Sequence, residues 1–484
     1  MSIGHTFRTR LAEHAQRRGD VPALVTAATS VSYGELAHRA HAWADALHAR
    51  GVAPGAVVGL TVRSEVDHLV ATLALFERGV AVVALASREP AAARARLARR
   101  VGVTLVVGDR ADDAVEDGRW LDVAHVRAAV ADGRAAAAPP AAPAIPALYL
   151  TGSGTTGEPK IVGYTQDDLA AHADCHIDFT DERVLRPAHV EYNNSKRMRL
   201  YTLWQGGTCI LADGATDSLV ALCVRHRATW LELSPMHGAG LLAAVRSEGR
   251  LPERVKLRIG GARAPIALRR TIMAEATRRL YVSYGTTETS YVSCTDPTMH
   301  DERESVGLVG ESVTALVLRA DGSEAAPDEV GEIRLRAPGM ATSYVGDAVA
   351  TARHFREGWF VPGDLASFDR ERRLIIHGRA DDMMILNGIN IFPVEIERVL
   401  ETHPAVAAAA AFPLASPVHG QIPMAAVELR EGAASSAAEL LAWVRRELGV
   451  RAPRRIEVVP AMPRNAQGKI LKRELAQRFA RAAG

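Results

Sequence analysis

Cysteine is scarce in this chain. Four residues among 484, at positions 175, 209, 223 and 294, form no CxxC pair. That argues against a disulfide scaffold and against a zinc site, and it fits a reducing cytoplasm. A charge imbalance is also missing: 58 basic residues face 56 acidic ones, for a net charge of +2. Such a balance supplies no global attraction to nucleic acid or to an anionic membrane. No stretch reaches the ~18 apolar residues that a membrane-spanning helix needs. The segment Met1 to Asp20 is charged throughout and lacks the apolar core of a signal peptide. No internal repeat of solenoid period is present. Lysine is rare as well, limited to Lys160, Lys196, Lys256, Lys469 and Lys472. A compact ammonium kept in an arginine-rich background points to roles that a planar guanidinium does not fill.

What remains is an ordinary globular balance, 48% hydrophobic and 24% charged, on a length that predicts about three structural units. The first 110 residues alternate between helix and strand. Leu36, Ala40, Trp43 and Leu47 share one helical face within 35–50, closed by Gly51 and Pro54. Strands are expected at 57–62, 80–85 and 104–107, with helices at 66–79 and 91–100. This rhythm predicts a parallel sheet covered by helices. An Ala/Pro run at 133–146 reads as a linker. A second alternating block places strands at 147–150, 208–211, 230–233 and 256–259. Strands at 313–318 and 331–336 flank an acidic turn and predict an antiparallel unit. The last hundred residues read as a separate α+β pattern, with helices at 394–402 and 437–448.

The most informative segment is Thr151-Gly152-Ser153-Gly154-Thr155-Thr156-Gly157-Glu158-Pro159-Lys160. Successive N–H groups of a glycine-rich turn form an anion nest, hydroxyls add donors, and Lys160 adds charge. A polyphosphate is the natural ligand. The dinucleotide fingerprint needs a helix at its third glycine. Here Pro159 intervenes, 161–164 reads as a strand, and the helix starts after Thr165 with Asp168 completing its cap. A P-loop needs lysine where Glu158 stands, and a kinase loop needs valine where Pro159 stands.

Ser153 to Lys160 resembles the phosphate loop of the adenylate-forming superfamily of acyl-CoA synthetases, peptide-synthetase adenylation domains and luciferases. Further segments carry the same resemblance, in family order, from about Ser32 to Lys472. Tyr284-Gly285-Thr286-Thr287-Glu288 is similar to the YGxTE motif, which implies adenine stacking by Tyr284, α-phosphate contact by Thr287 and Mg²⁺ binding by Glu288. Gly260-Gly261-Ala262-Arg263 resembles the segment beside adenine and the acyl pocket. Gly363-Asp364 resembles the pair whose aspartate binds both ribose hydroxyls. In Gly378-Arg379-Ala380-Asp381-Asp382, the resemblance gives Arg379 to the nucleotide and makes Asp381 the hinge. Asn387-Gly388 would face the thiol tunnel. Within Pro463 to Ile470, Lys469 would bridge the substrate carboxylate and the α-phosphate.

Two small departures are Ile161, where the family has glycine, and Gln166, where histidine is common. The larger one is the acyl-pocket segment Glu191-Tyr192-Asn193-Asn194-Ser195-Lys196-Arg197-Met198-Arg199. Amino-acid-activating relatives carry an aspartate that, counted back from Gly206-Gly207, falls on Asn193. Asparagine cannot supply the negative charge that an ammonium calls for, but it can hydrogen-bond a ring hydroxyl, as in some aryl-acid-activating relatives. Tyr192, Asn193, Lys196 and Gly260 are therefore the candidate pocket residues, and a small polar acid, such as a substituted benzoate, fits better than a long alkyl chain. The cations at 196, 197 and 199 read either as a solvated helix face or as contacts to an anionic group.

The resemblance implies an α/β chain with a large N-terminal domain over 1–380, built of mixed sheets layered with helices plus a β subunit. A small mobile α+β domain over 381–484 would carry the catalytic lysine. The expected reaction converts a carboxylate and ATP, with Mg²⁺, to acyl-AMP. It then passes the acyl group to a thiol of coenzyme A or of a phosphopantetheinyl carrier protein. The sequence closes soon after Lys469, so the acceptor is expected in trans. Three rivals stand beside this reading. They are amino-acid or fatty-acid adenylation with another acceptor, a dinucleotide-dependent oxidoreductase, and a non-catalytic nucleotide-binding relative.

Overall fold

Ser32 and Glu35 fix the start of the helix Tyr33–Ala49. The serine hydroxyl accepts from the Glu35 N–H, and the glutamate carboxylate accepts from the Ser32 N–H. Thr165 and Asp168 form the same reciprocal cap on Gln166–Asp174, at the place the sequence predicts. The computed structural model describes residues 6–111, 119–131, 142–143, 145–152, 159–212, 216–300, 303–386, 389–416, 420–465 and 468–481. Most of the Ala/Pro run at 133–146 lies outside them.

The predicted strands, joined by Arg119–Asp122, Arg183–Arg186 and Leu280–Thr286, which the sequence reading did not mark, assemble into two mostly parallel sheets. In one, Arg119–Asp122, Leu105–Gly108, Val57–Thr61, Ala81–Ala84, Leu148–Gly152 and Lys160–Tyr164 lie in that spatial order. Only the last pair is antiparallel, and it holds the two ends of the glycine-rich segment side by side, with Gly152 opposite Lys160. The other sheet has nine strands. Its centre is the parallel run Thr208–Leu211, Arg183–Arg186, Trp230–Leu233, Lys256–Ile259 and Leu280–Thr286. The first four of these strands are short and almost wholly buried, as expected where helices cover both faces. Helices between the sheets join them in one apolar core that includes Leu36, Trp43, Leu73, Leu148, Leu169 and Tyr201.

Thr314–Leu318 and Gly331–Arg336 pair antiparallel across the acidic turn, and Asp364–Phe368 and Leu374–Arg379 extend that unit. Beyond residue 383 the chain builds its own sheet from Val406–Ser416, Gly420–Leu429 and Arg455–Val459. The helices Pro393–Glu401 and Ala437–Leu448 close a separate core around Ile396, Val427 and Leu440.

The two domains meet on charge. Arg263, which follows the strand Lys256–Ile259, is paired with Glu304 of its own domain at 2.7 Å. It also reaches Glu401 at 2.9 Å and Glu397 at 3.9 Å on the helix Pro393–Glu401 of the other domain. Arg398 answers Glu304 in return at 3.6 Å. Burial pushes the Glu401 carboxyl up to about 7, with Arg263 pulling the other way. Arg263 holds Glu304 below the usual carboxylate range, although burial opposes it.

Arg263→Ala would leave Glu401 without its cation and Glu304 and Glu397 with Arg398 and Lys472 alone, at a cost of up to about 3–5 kcal/mol of docking free energy. Calorimetry should then resolve a separate, lower-melting transition for residues after 383. The folded chain keeps the Glu401 proton to higher pH than the unfolded chain does. Stability therefore falls as pH rises from 4.5 to about 7 and levels off above. Glu401→Gln should flatten that stretch of the stability–pH curve; an unchanged slope would assign it to another group.

Candidate active site

The strand Leu280–Thr286 ends the parallel run and turns back into Ser290–Cys294. A Cβ at Gly285 would lie 2.3 Å from the Ser290 carbonyl oxygen, so the return strand requires glycine there. The turn between them points its carbonyls inward, and side chains from two other elements answer them. Arg197, on the helix Asn193–Gln205, donates to the Thr287 carbonyl at 2.7 Å and to the Thr286 carbonyl at 3.2 Å. Tyr164 donates its hydroxyl to the carbonyls of Thr287 at 2.6 Å and Glu288 at 3.0 Å. A Cβ at Gly152 would come within 3.6 Å of Thr287 Oγ1 and 3.8 Å of Glu288 Oε1. The entrance to the glycine-rich segment therefore lies against this turn. Ser153, Gly154, Thr155, Thr156 and Gly157 themselves lie outside the described residues.

Around the turn, charge is arranged with few direct ion pairs. Glu288 is buried, and its Oε1 accepts from the Tyr344 hydroxyl at 2.6 Å. Burial and the carboxylate both raise the Tyr344 phenol, so it remains the donor. Lys160 lies with its ammonium 4.9 Å from the centre of the Tyr344 ring and donates to His354 Nε2 at 2.7 Å. His354 Nδ1 sits 2.7 Å from the Val361 carbonyl, which can only accept. The ring is therefore neutral, with its proton on Nδ1, and burial beside Lys160 keeps its pKa below the usual histidine value. Burial lowers Lys160 too, with Glu288 opposing. An ammonium whose neighbours are an imidazole and an aromatic face is free to take a phosphate oxygen.

Tyr284, Asp364 and Arg379 come together as the motifs suggest. Tyr284 donates to one Asp364 oxygen at 2.5 Å and Arg379 to the other at 3.2 Å. Each carboxylate oxygen keeps a second lone pair for a diol. Gly261 and Ala262 are exposed beyond the strand Lys256–Ile259, while Gly260 packs so closely that a Cβ would meet Ser283 Oγ at 2.6 Å.

Lys469 is exposed on a turn in which its N–H donates to Asn465 Oδ1 at 2.9 Å. Gly468 is in the left-handed region at φ +78°, where a Cβ would run into the Met236 side chain. Met236 follows the strand Trp230–Leu233, so the lysine turn rests at the carboxyl end of the parallel strands, the usual ligand edge of such sheets. Asp381 pairs with Arg353 at 3.0 Å. Asn387 and Gly388 lie outside the described residues.

Tyr192 is half-buried at the N-terminus of Asn193–Gln205; the Asn193 side chain lies outside the described residues. The solvated-face reading of 196–199 is corrected here. Lys196, Arg197 and Arg199 are 1%, 4% and 2% exposed. Arg197 is held by carbonyls, and Arg199 is paired with Glu65 at 2.8 Å. Lys196 Nζ forms no hydrogen bond among the described residues, and burial lowers it to about 7. Tyr164, Arg197, Tyr344 and His354 are site residues that no motif marks. The one signal available was the charge of Arg197 within an otherwise helical segment.

Among the described residues no group of three His, Cys, Asp or Glu side chains is placed to hold a metal, and no helix is long and apolar enough to cross a membrane. One carboxylate, Glu288, is available beside the phosphate-loop entrance. That fits a Mg²⁺ ion held by one carboxylate and substrate phosphates.

Comparison with known proteins agrees with this geometry. Feruloyl-CoA synthase of Amycolatopsis sp is 29% identical over 98% of this chain and 97% of its own length. The salicyl-AMP ligase / salicyl-S-ArCP synthetase of Mycobacterium tuberculosis is 29% identical over 99% of this chain and 92% of its own. The structure of o-succinylbenzoate CoA synthetase from Bacillus subtilis, in complex with the acyl-adenylate OSB-AMP, superposes with a TM-score of 0.84 at 25% identity, covering 96% of this chain and 97% of that one. Residues 11–345 match the AMP-binding enzyme family and residues 395–469 match the AMP-binding enzyme C-terminal domain, so the chain belongs to the adenylate-forming AMP-binding enzymes.

Proposed function

We propose that this chain activates a small polar carboxylic acid, aromatic in the form we favour, by converting it with ATP to acyl-AMP and pyrophosphate. The acyl group then passes to a thiol. The observation that carries the reading is the meeting of Gly152, Thr287, Glu288 and Lys160 at one edge, with Asp364 and Arg379 beside them and the Lys469 turn at the strand ends. The support from relatives is that their names describe CoA ligation of ferulate and transfer of salicylate to a carrier called ArCP.

In the first step the carboxylate oxygen attacks the α-phosphorus and the bond to pyrophosphate breaks. The acid is already ionised at neutral pH, so no general base is required. Lys160 takes a β- or γ-phosphate oxygen, Thr287 the α-phosphate, Tyr284 the adenine face, and Asp364 with Arg379 the ribose. Glu288 would hold Mg²⁺, which supplies charge neutralisation across the phosphates. Lys469 follows charge as it builds between carboxylate and phosphate. In the second step the thiol sulfur attacks the acyl carbon, AMP leaves, and the thiol proton is released. We place the domain boundary and hinge near Asp381, where movement of the second domain would withdraw Lys469 and admit the thiol.

The buried Lys196, whose ammonium makes no hydrogen bond among the described residues, disfavours a long alkyl chain, since burying apolar carbon against unpartnered charge gains little. Lys469→Ala should lower acid-dependent ATP–pyrophosphate exchange by at least 10²–10³-fold. ATP binding and melting temperature should stay near wild type, because Lys469 is exposed. Exchange at the wild-type rate would remove the assignment of Lys469. The panel for exchange is hydroxy- and aminobenzoates, cinnamates, fatty acids and amino acids, and only the first two groups should respond.

A further inference from the structure

Three central strands carry charged side chains into the space beneath the helix Asn193–Gln205. Arg186, Glu232 and Arg258 are 8%, 3% and 6% exposed. In the parallel register Glu232 stands directly opposite Arg258, and the pairing of Trp230 and Leu231 with Val184 and Leu185 brings Arg186 to its other side. Glu232 is ion-paired with both arginines. Arg258 continues upward, donating to His176 Nε2 at 3.0 Å and touching Met198 Sδ of the covering helix at 3.4 Å.

The charges in this cluster do not cancel. Two guanidinium groups share one carboxylate. His176, Cys294 and Tyr291, which also face them, are neutral. Burial and Arg258 hold His176 well below its usual pKa, burial pushes the Cys294 thiol up to about 11, and it raises the Tyr291 phenol as well. Arg199 spends its charge on Glu65. Within this cluster buried positive charge therefore exceeds the one carboxylate, and Arg197 beside it, held by carbonyls, adds to the excess. Leaving a guanidinium in that state is expensive unless something supplies an anion.

The surplus charge is also in a telling place. Residues two apart on a strand share a face, so Arg258 points to the same side as Gly260, at the end of the same strand. Met198, which Arg258 touches, belongs to the helix that begins at Asn193. The cluster thus lies between the two segments assigned above to the acyl pocket, and the inference rests on that assignment. We propose that Arg258, backed by Arg186, is a specificity-determining residue, and that the activated acid carries a second anionic group, a carboxylate or sulfonate, at the end away from the reacting carboxylate. A guanidinium is the group best suited to such an anion, and an uncharged analogue would leave Arg258 sharing the single Glu232 carboxylate with Arg186.

The test compares matched acids in ATP–pyrophosphate exchange with the full chain: benzoate against its carboxy- and sulfo-substituted counterparts, and propanoate against succinate and 3-sulfopropanoate. The doubly anionic member should be favoured by about 100-fold in kcat/KM. Arg258→Met should reduce that ratio at least tenfold, and Glu232→Gln, which frees the arginines from their internal competitor, should raise it. Arg258→Lys keeps a charge and should retain part of the preference if Arg258→Met fails to fold. Wild-type preference for the uncharged member, or equal loss of both members in the variants, overturns the inference and leaves adenylation standing. No exchange with any acid here or in the wider panel overturns the adenylation reading and this inference with it.

Discussion

Inward-pointing carbonyls at the turn from Thr286 to Glu288 must be satisfied, and Arg197 and Tyr164 do this from a helix and a strand that belong to different sheets' coverings. Leaving such groups unpaired would cost about 1–3 kcal/mol each. Their bonds fix where Thr287 and Glu288 project and bring the turn against Gly152. The nucleotide edge is therefore an assembly of two sheets, locked by one arginine and one phenol. The remaining groups are attached around that lock: Tyr344 orients Glu288, His354 steadies Lys160, and Tyr284 and Arg379 fix Asp364.

Charge is used in two distinct ways across the chain. At the domain interface, Arg263 sits among three carboxylates, two of them from the other domain. A contact made of ion pairs would suit the domain movement proposed above. Beneath the helix Asn193–Gln205 the sign is reversed, with two arginines around one carboxylate. The surplus charge there stands on buried core strands.

The architecture was largely legible before any coordinates. The strands at 208–211, 230–233 and 256–259 and the cap at Thr165–Asp168 are local features, written in short apolar runs and in residues three apart. The motifs at 284–288, 363–364 and 379 were legible for the same reason, and the fold brings them together as their chemistry requires. What was not legible depends on pairing between distant segments. The run at 196–199 could be read as a wet helix face because nothing within it reveals that carbonyls at 286–287 and a carboxylate at 65 will bury it. Arg258 and Glu232 look like ordinary strand charges until the parallel register sets them opposite one another. Arg263 was noticed only as the end of a small-residue segment; its partners lie 41 to 138 positions away in the chain.

The central claim is that the bond broken in ATP is the one at the α-phosphorus. The most direct measurement is the identity of the nucleotide product when the enzyme turns over an acid in the presence of a thiol acceptor, read by chromatography and phosphorus NMR. The account predicts AMP and pyrophosphate in equal amounts, with acyl-AMP accumulating when the thiol is withheld. ADP and orthophosphate would contradict it, because attack at the γ-phosphorus would leave the geometry around Thr287, Glu288 and Lys469 without a role.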